Sequence, residues 1–307
     1  MSSAVSDFRN QIKRYKYSYN LKMFSLLIKK HIKRKVGSVM TKKVITVDWE
    51  TSLSEAADIM RELSISSLII TKNKTPAGIL TEQDFVRKIG PKTNIIKDIF
   101  TDNIVSIAPN KTIFEASQVM LNNHFRKLVV MKKDNMVGII TQTDLVRALS
   151  AFGTTTMIES IDVPLVEDVM TDEIVSIPKT TTLDQARKIM AAHKFGCLVV
   201  KDELPGIITE RDIVSEYSKD PRRLTSFTVE NCMTCPVSTI DPKENVFRAN
   251  IIMLRKGFRR LPVSNTAKLM GLVTETDLMR GMYQFIVDAQ AKVKMKKFIS
   301  IDVEKVK

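Results

Sequence analysis

The chain has 307 residues, 44% of them hydrophobic and 27% charged, with a formal net charge of +14. That length holds about two ordinary domains and the composition is globular, while no apolar run reaches the ~20 residues that a bilayer crossing needs. Three cysteines are an odd number in a chain too large to need staples, which argues against a disulfide framework and for a reducing, cytoplasmic setting.

The charge is uneven. Residues 1–38 carry ten Lys and Arg against Asp7 alone, which leaves only +5 for the remainder. In the N-terminal arm (1–35), RYKYSYN at 14–20 interleaves Tyr15, Tyr17 and Tyr19 with Arg14 and Lys16. MFSLLIKKHIKRKV then sets Phe24, Leu27, Ile28, Ile32 and Val36 at helical spacing among basic residues, so the arm is predicted to be partly helical. Three roles stay open for it: docking its apolar stripe on the domain that follows, contact of residues 9–35 with nucleic acid, or an anionic membrane surface. The first 22 residues lack the apolar core of a secretory signal, and Met23 is an alternative start.

From residue 36 the sequence repeats. Four copies open on Val-Met-Thr41, Ile-Phe-Thr101, Val-Met-Thr171 and Cys-Met-Thr234, and close on GILTEQDF (78–85), GIITQTDL (138–145), GIITERDI (206–213) and GLVTETDL (271–278). Each copy begins with a β-prone run (VITV, IVSI, IVSI, VSTI) and continues into a helix of regular apolar spacing (LSEAADIM, IFEASQVM, LDQARKIM, VFRANIIM). A run of branched residues, a polar turn and the closing strand follow, and a second helix starts just after the Thr. Ser52-x-x-Glu55, Thr112-x-x-Glu115 and Thr182-x-x-Gln185 are capping boxes for the first helix of units 1 to 3. Each unit is β-α-β-β-α and too small to bury much core alone, so the units are expected to pair. Their bounds are 36–90, 91–150, 162–219 and 220–285, with a linker at 151–161 and a tail at 286–307.

Cys232 falls in the apolar slot held by Val39, Ile99 and Val169 elsewhere, so the lone CxxC of Cys232 and Cys235 reads as packing and no metal site is expected. His124 and His193 read as surface or cleft-lining residues. Before the middle strand, units 2 and 4 have FRKL (125–128) and FRRL (258–261), where units 1 and 3 have ISSL (65–68) and FGCL (195–198). The alternation suggests that a two-unit module was duplicated.

Thr-x-x-Asp serves two chemistries. It is a helix N-cap with an acid at N3, and it can also offer hydroxyl and carboxylate acceptors to a ribose beside a phosphate-attracting helix start. The invariance of Asp at the second helix, where the first helix varies its N3 residue, leans toward the second role while leaving both open.

The four-fold β-α-β-β-α unit ending in G-h-h-T-x-x-D (h apolar) is similar to the CBS domain family, over roughly residues 36–285. The resemblance implies an α/β (α+β) fold in which the units pair into two Bateman modules, stacked as a flat disk, with clefts that in many members bind adenine nucleotides or related adenosyl ligands. It assigns ribose to Asp84, Asp144, Asp212 and Asp277, and ribose or phosphate to Thr81, Thr141, Thr209 and Thr274. It assigns phosphate to Arg126, Lys127, Arg259 and Arg260, with Arg211 a further candidate, and places the base beside Val44, Ile104, Ile174 and Val237. AMP, ADP, ATP and S-adenosylmethionine are not separated by the sequence. No catalytic residue, catalytic cofactor or metal is assigned, and no room remains for a catalytic domain beside the repeats. The expected function is a stand-alone sensor that relays occupancy to a protein partner, with a homodimer among its assemblies. The alternative is a nucleic-acid-associated regulator that contacts its target through the basic arm, with the clefts as allosteric inputs.

Overall fold

Helix α1 (Val36–Val39) leads into the first unit: β1 (Thr46–Asp48), α2 (Leu53–Glu62), β2 (Ser67–Lys72), β3 (Thr75–Thr81) and α3 (Glu82–Lys88). The second unit has β4 (Ser106–Ile107), α4 (Ile113–Asn122), β5 (Lys127–Lys132), β6 (Asn135–Thr141) and α5 (Gln142–Leu149). The third has α6 (Val166–Val169), β7 (Ser176–Pro178), α7 (Leu183–His193), β8 (Cys197–Lys201), β9 (Gly206–Thr209) and α8 (Glu210–Lys219), and α9 (Arg223–Ser226) opens the fourth. The fourth has α10 (Val246–Lys256), β10 (Arg260–Ser264), β11 (Leu269–Thr274) and α11 (Glu275–Glu304). This computed structural model describes residues 32–90, 93–150, 162–201, 205–265 and 268–304, with side chains described as far as residue 291. Residues 1–31 of the arm and the linker at 151–161 lie outside them. No described helix is long and apolar enough to cross a membrane.

Within units 1 to 3 the first strand runs parallel to the second, because the first helix carries the chain back over the sheet, and the third strand returns antiparallel. The first helices begin where their caps predict: Ser52, Thr112 and Thr182 each accept from the N–H three residues on. Lys194 and Gly257, with φ of 58° and 68°, end α7 and α10 in the left-handed region.

Two expectations need correction. The first strands start later than the β-prone runs, leaving Val44, Ile104 and Ile174 in extended approach segments. In unit 4 only a bridge from Ile240 to Val263 forms, and the Val237 N–H donates to the Pro205 carbonyl at 3.2 Å. The tail is also not a separate segment. Phe285, Ile286 and Ala289 are buried on the same face of α11 as Leu278 and Met282, so the last helix runs through the expected boundary.

Each opening Met-Thr landmark or its equivalent pairs with the closing strand of the neighbouring unit. Thr41 and Ile139 exchange both backbone hydrogen bonds at 2.9 Å, as do Ile79 and Thr101; Thr171 pairs likewise with Leu272, and Ile207 with Thr234. Units 1 and 2 are thus cross-strapped, and so are units 3 and 4. The glycine that opens every closing phrase makes this approach possible. A methyl on Gly138 would lie 2.8 Å from the Thr41 carbonyl oxygen, and one on Gly271 would lie 2.5 Å from that of Thr171.

The modules meet through their helices, and the hydrophobic core divides across them. One core joins unit 1 (Leu53, Ala56, Phe85, Val86) to unit 3 (Leu183, Ala186, Ile213, Tyr217). The other joins unit 2 (Ile113, Met120, Leu145) to unit 4 (Phe247, Met253, Leu278, Met282). One buried side chain crosses each junction at an equivalent place. Arg187 Nη1 donates to the Val86 carbonyl and Asn250 Nδ2 donates to that of Val146, both at 2.9 Å. Ile32 of the arm packs on the second core, and Lys35 bridges to Thr112, so the described end of the arm docks on the first module.

Candidate functional site

Each second helix starts at a Thr in extended conformation, and the same local geometry recurs four times. The Thr81 N–H and Oγ1 both donate to Asp84 Oδ2, at 2.8 and 2.6 Å. Thr141 with Asp144, Thr209 with Asp212, and Thr274 with Asp277 repeat the pattern at 2.6 to 3.0 Å. One carboxylate oxygen of each Asp is therefore committed to the cap, and so is the Thr proton. Only Oδ1 is left to face a ligand, and the Thr oxygen has acceptor capacity alone.

The surroundings of Oδ1 differ from unit to unit. Asp84 Oδ1 accepts from Thr101 Oγ1 at 3.1 Å and pairs with Lys88 Nζ at 2.9 Å. Lys88 is itself pinned to the Ile99 carbonyl at 2.9 Å, so this aspartate is tied to the opening landmark of unit 2. Asp277 has Arg280 at 3.3 Å and Asp144 has Arg147 at 3.7 Å. Burial pushes the Asp212 carboxyl up from the ordinary aspartate range, against hydrogen bonds from Thr209 that pull it down.

A cavity of about 670 Å³ opens between units 1 and 2 and runs to the centre of the disk. It brings together Thr81 and Asp84 of unit 1 with Ile104, Arg126 and Lys127 of unit 2, and Arg259, Arg260 and Thr274 of unit 4. His124 and Thr141 also line it. An aspartate from one unit thus faces the approach segment and the basic tetrapeptide of its neighbour. Asp144, Asp212, Asp277, Thr209, Val44, Ile174, Val237 and Arg211 are not on its wall. Among the described residues no group of three or more His, Cys, Asp or Glu is gathered as a metal site. Cys232 is packed against the first core, where burial pushes its thiol up to about 12.

The centre of the disk holds the residues that the motif reading passed over. Directly after each Thr stands Glu82, Gln142, Glu210 or Glu275, and all four are buried. Glu82 is 4% exposed and takes Arg211 Nε on Oε1 at 2.9 Å and Arg259 Nη2 on Oε2. Burial alone would raise its pKa, but Arg259 and Arg211 hold the carboxyl below its usual range. Glu210 is 2% exposed; its Oε2 meets Arg260 at 3.2 Å and Arg126 at 3.8 Å, while Oε1 is buried with no hydrogen-bond partner among the described residues. Arg260 reaches Glu210 only because residue 196 is glycine, since a methyl there would overlap its guanidinium. On the other side, Thr143 donates to Glu275 at 3.0 Å and Thr276 to Gln142 at 2.8 Å, linking units 2 and 4.

Lys127 Nζ donates to the Ser66 carbonyl at 2.8 Å. Desolvation first, then crowding by Arg259 and Arg126 against the pull of Glu82, brings its pKa down to about 7. The alternation of FRKL and FRRL with ISSL and FGCL has its explanation here. The basic residues of the even units reach over the small residues of the odd ones, Lys127 to Ser66 and Arg260 past Gly196.

Four repeat units, βαββα in the first three and without the first strand in the fourth, strapped in two pairs with their helix starts gathered around a charged centre, define a tandem two-module repeat protein. The family model described as CBS domain matches residues 36–91, 96–151, 166–219 and 229–283, and the chain belongs to that family. MJ1225 of Methanocaldococcus jannaschii is 28% identical over 200 residues, 61% of this chain and 70% of that protein. Its crystal structure, described as that of a proposed archaeal homolog of g-AMPK, covers 80% of this chain and 99% of its own with a TM-score of 0.70; at 22% identity that likeness shows the fold. MJ1404 of the same organism is 25% identical over 265 residues, 80% of this chain and 61% of its own length. The match to the inosine-5'-monophosphate dehydrogenase of that organism, 33% identical over 116 residues, takes in 23% of the enzyme.

Proposed function

We propose that the chain is a non-catalytic regulatory protein that binds an adenosyl ligand in the clefts between paired units and passes occupancy to a protein partner. One observation carries this reading: the cavity between units 1 and 2 presents an aspartate oxygen, an apolar approach segment and a cluster of cations together. Those are the groups needed by a ribose, a base and an anionic end. Asp84 Oδ1 would take a ribose hydroxyl, Ile104 would flank the base, and Arg126, Lys127 and Arg259 would meet the anion. Asp144, Asp212 and Asp277, with Thr209, would serve the remaining clefts, and Thr81, Thr141 and Thr274 line the one described. Because the cleft walls come from two units, a ligand that bridges them favours one inter-unit angle over another, which is what a relay requires.

The test is calorimetric titration with AMP, ADP, ATP and S-adenosylmethionine, together with mass spectrometry of whatever co-purifies. Saturable binding of at least one is expected. Absence of binding by all four at millimolar concentration would overturn the reading.

A further inference from the structure

The cations of the cleft are already engaged by the protein's own carboxylates, and the engagement is uneven. Glu82 holds two guanidinium groups, Arg211 on one oxygen and Arg259 on the other. Glu210 also has two, but both approach the same oxygen. Arg260 is close and its side chain is 9% exposed, whereas Arg126 stands at 3.8 Å and is 47% exposed. For Glu82 only Arg259 of its two partners lines the cavity, and Arg211 would remain to balance the carboxylate; for Glu210 both partners line it, and the exposed, more distant Arg126 is the one free to leave while the close, buried Arg260 would remain. A buried carboxylate stripped of every partner would be strongly destabilising; one that keeps a guanidinium is not stripped.

The two arginines that could leave have a common origin. Arg126 and Arg259 are the second residues of FRKL and FRRL, and each reaches a glutamate of the other module: Arg126 of unit 2 to Glu210 of unit 3, and Arg259 of unit 4 to Glu82 of unit 1. Both glutamates also line the cavity that holds Asp84.

We propose that Glu82 and Glu210 are built-in competitors of the ligand's anionic group. Entry of a phosphate or carboxylate exchanges a protein carboxylate for a ligand anion on Arg259 and Arg126, while Arg211 and Arg260 stay behind. The same exchange removes ion pairs between the modules, so filling a cleft in one module is felt by the other. This rests on the reading that the cleft takes a ligand with an anionic end.

The experiment is calorimetric titration of the full chain with AMP and, separately, with inorganic pyrophosphate. It compares the native protein with Glu82→Gln, Glu210→Gln, Arg259→Ala and the double variant Glu82→Gln/Arg259→Ala. Removing either competing carboxylate is expected to tighten anion binding about tenfold, and the double variant is expected to bind no more tightly than Arg259→Ala. Should Glu82→Gln not fold, Glu82→Asp withdraws the carboxylate by one methylene and is expected to shift affinity the same way. Unchanged or weaker binding by glutamine variants that melt normally would overturn the proposal. If no adenosyl ligand binds the native chain, the functional reading above falls, yet pyrophosphate still decides this one. A gain in the glutamine variants upholds it, and no pyrophosphate binding in any variant overturns it.

Discussion

Asp84 Oδ2 is spent on Thr81, while Oδ1 faces Thr101, Lys88 and the cavity side of the residue. Asp84→Asn retains an acceptor for the cap and loses the charged oxygen, so the two roles separate. We expect a stability change within about 1 kcal/mol by thermal melting, and about tenfold weaker AMP binding by calorimetry; equal affinity would leave the residue a cap alone. Lys127 gives a second expectation. Its pKa is about 7 in the folded chain, below the ~10.4 of an unfolded lysine, so the unfolded state binds the extra proton between those values. This group's contribution to stability therefore rises with pH from about 7 toward 10. Urea unfolding at pH 6.5 and 8.5 should show Lys127→Met gaining relative to the native chain at the lower pH, with the advantage shrinking at the higher. Glu82, Gln142, Glu210 and Glu275 were in plain view, one after every Thr. The sequence does not mark them, because a polar residue in the first turn of a helix is ordinarily solvated. Only the abutting of helix starts from different units buries them, and that is a long-range fact.

At the scale of the element, the β-α-β-β-α order of units 1 to 3 and both helices of every unit followed from periodicity, capping and turn residues, while the first strand expected in unit 4 is only a bridge. The cross-strapping did not. Thr41 and Ile139 are far apart in sequence, and one extended Thr looks the same whether it pairs within its unit or outside it. The recurring glycine was the available clue, since it sits at each close approach. Gly271→Ala would drive a methyl to 2.5 Å from the Thr171 carbonyl oxygen and 3.0 Å from Met170 Sδ. The strap between units 3 and 4 must shift, at a cost of about 1–3 kcal/mol, seen as a lower midpoint in thermal or urea unfolding. A midpoint like the native one would show that the strap yields freely.

At the scale of the whole molecule, neither module owns a core. Leu53, Ala56, Phe85 and Val86 of unit 1 are covered by Leu183, Ala186 and Ile213 of unit 3, and units 2 and 4 repeat the arrangement. A fragment of residues 36–150 would expose both halves of that apolar surface, far more than a soluble monomer ordinarily carries. It should therefore associate as a disk of two copies, since the two modules share a common fold and the covered face has the same character on each. Light scattering on the purified fragment checks this, and a stable monomer would contradict it. The alternation of basic and small tetrapeptides was the only mark of this scale in the sequence. It revealed the duplication, but which units face each other depends on helix faces that no local pattern specifies.

The straps also impose an order on how the protein is born. The chain leaves the ribosome at ~5–20 residues per second, N-terminus first. Ile79 cannot find its partner until Thr101 has emerged, and Thr41 waits until Ile139 has. The first nascent body able to close is therefore a whole pair rather than a single repeat. Even that pair keeps an uncovered apolar face until units 3 and 4 arrive, so the half-synthesised chain is the stage at which most of the core surface lies open to water.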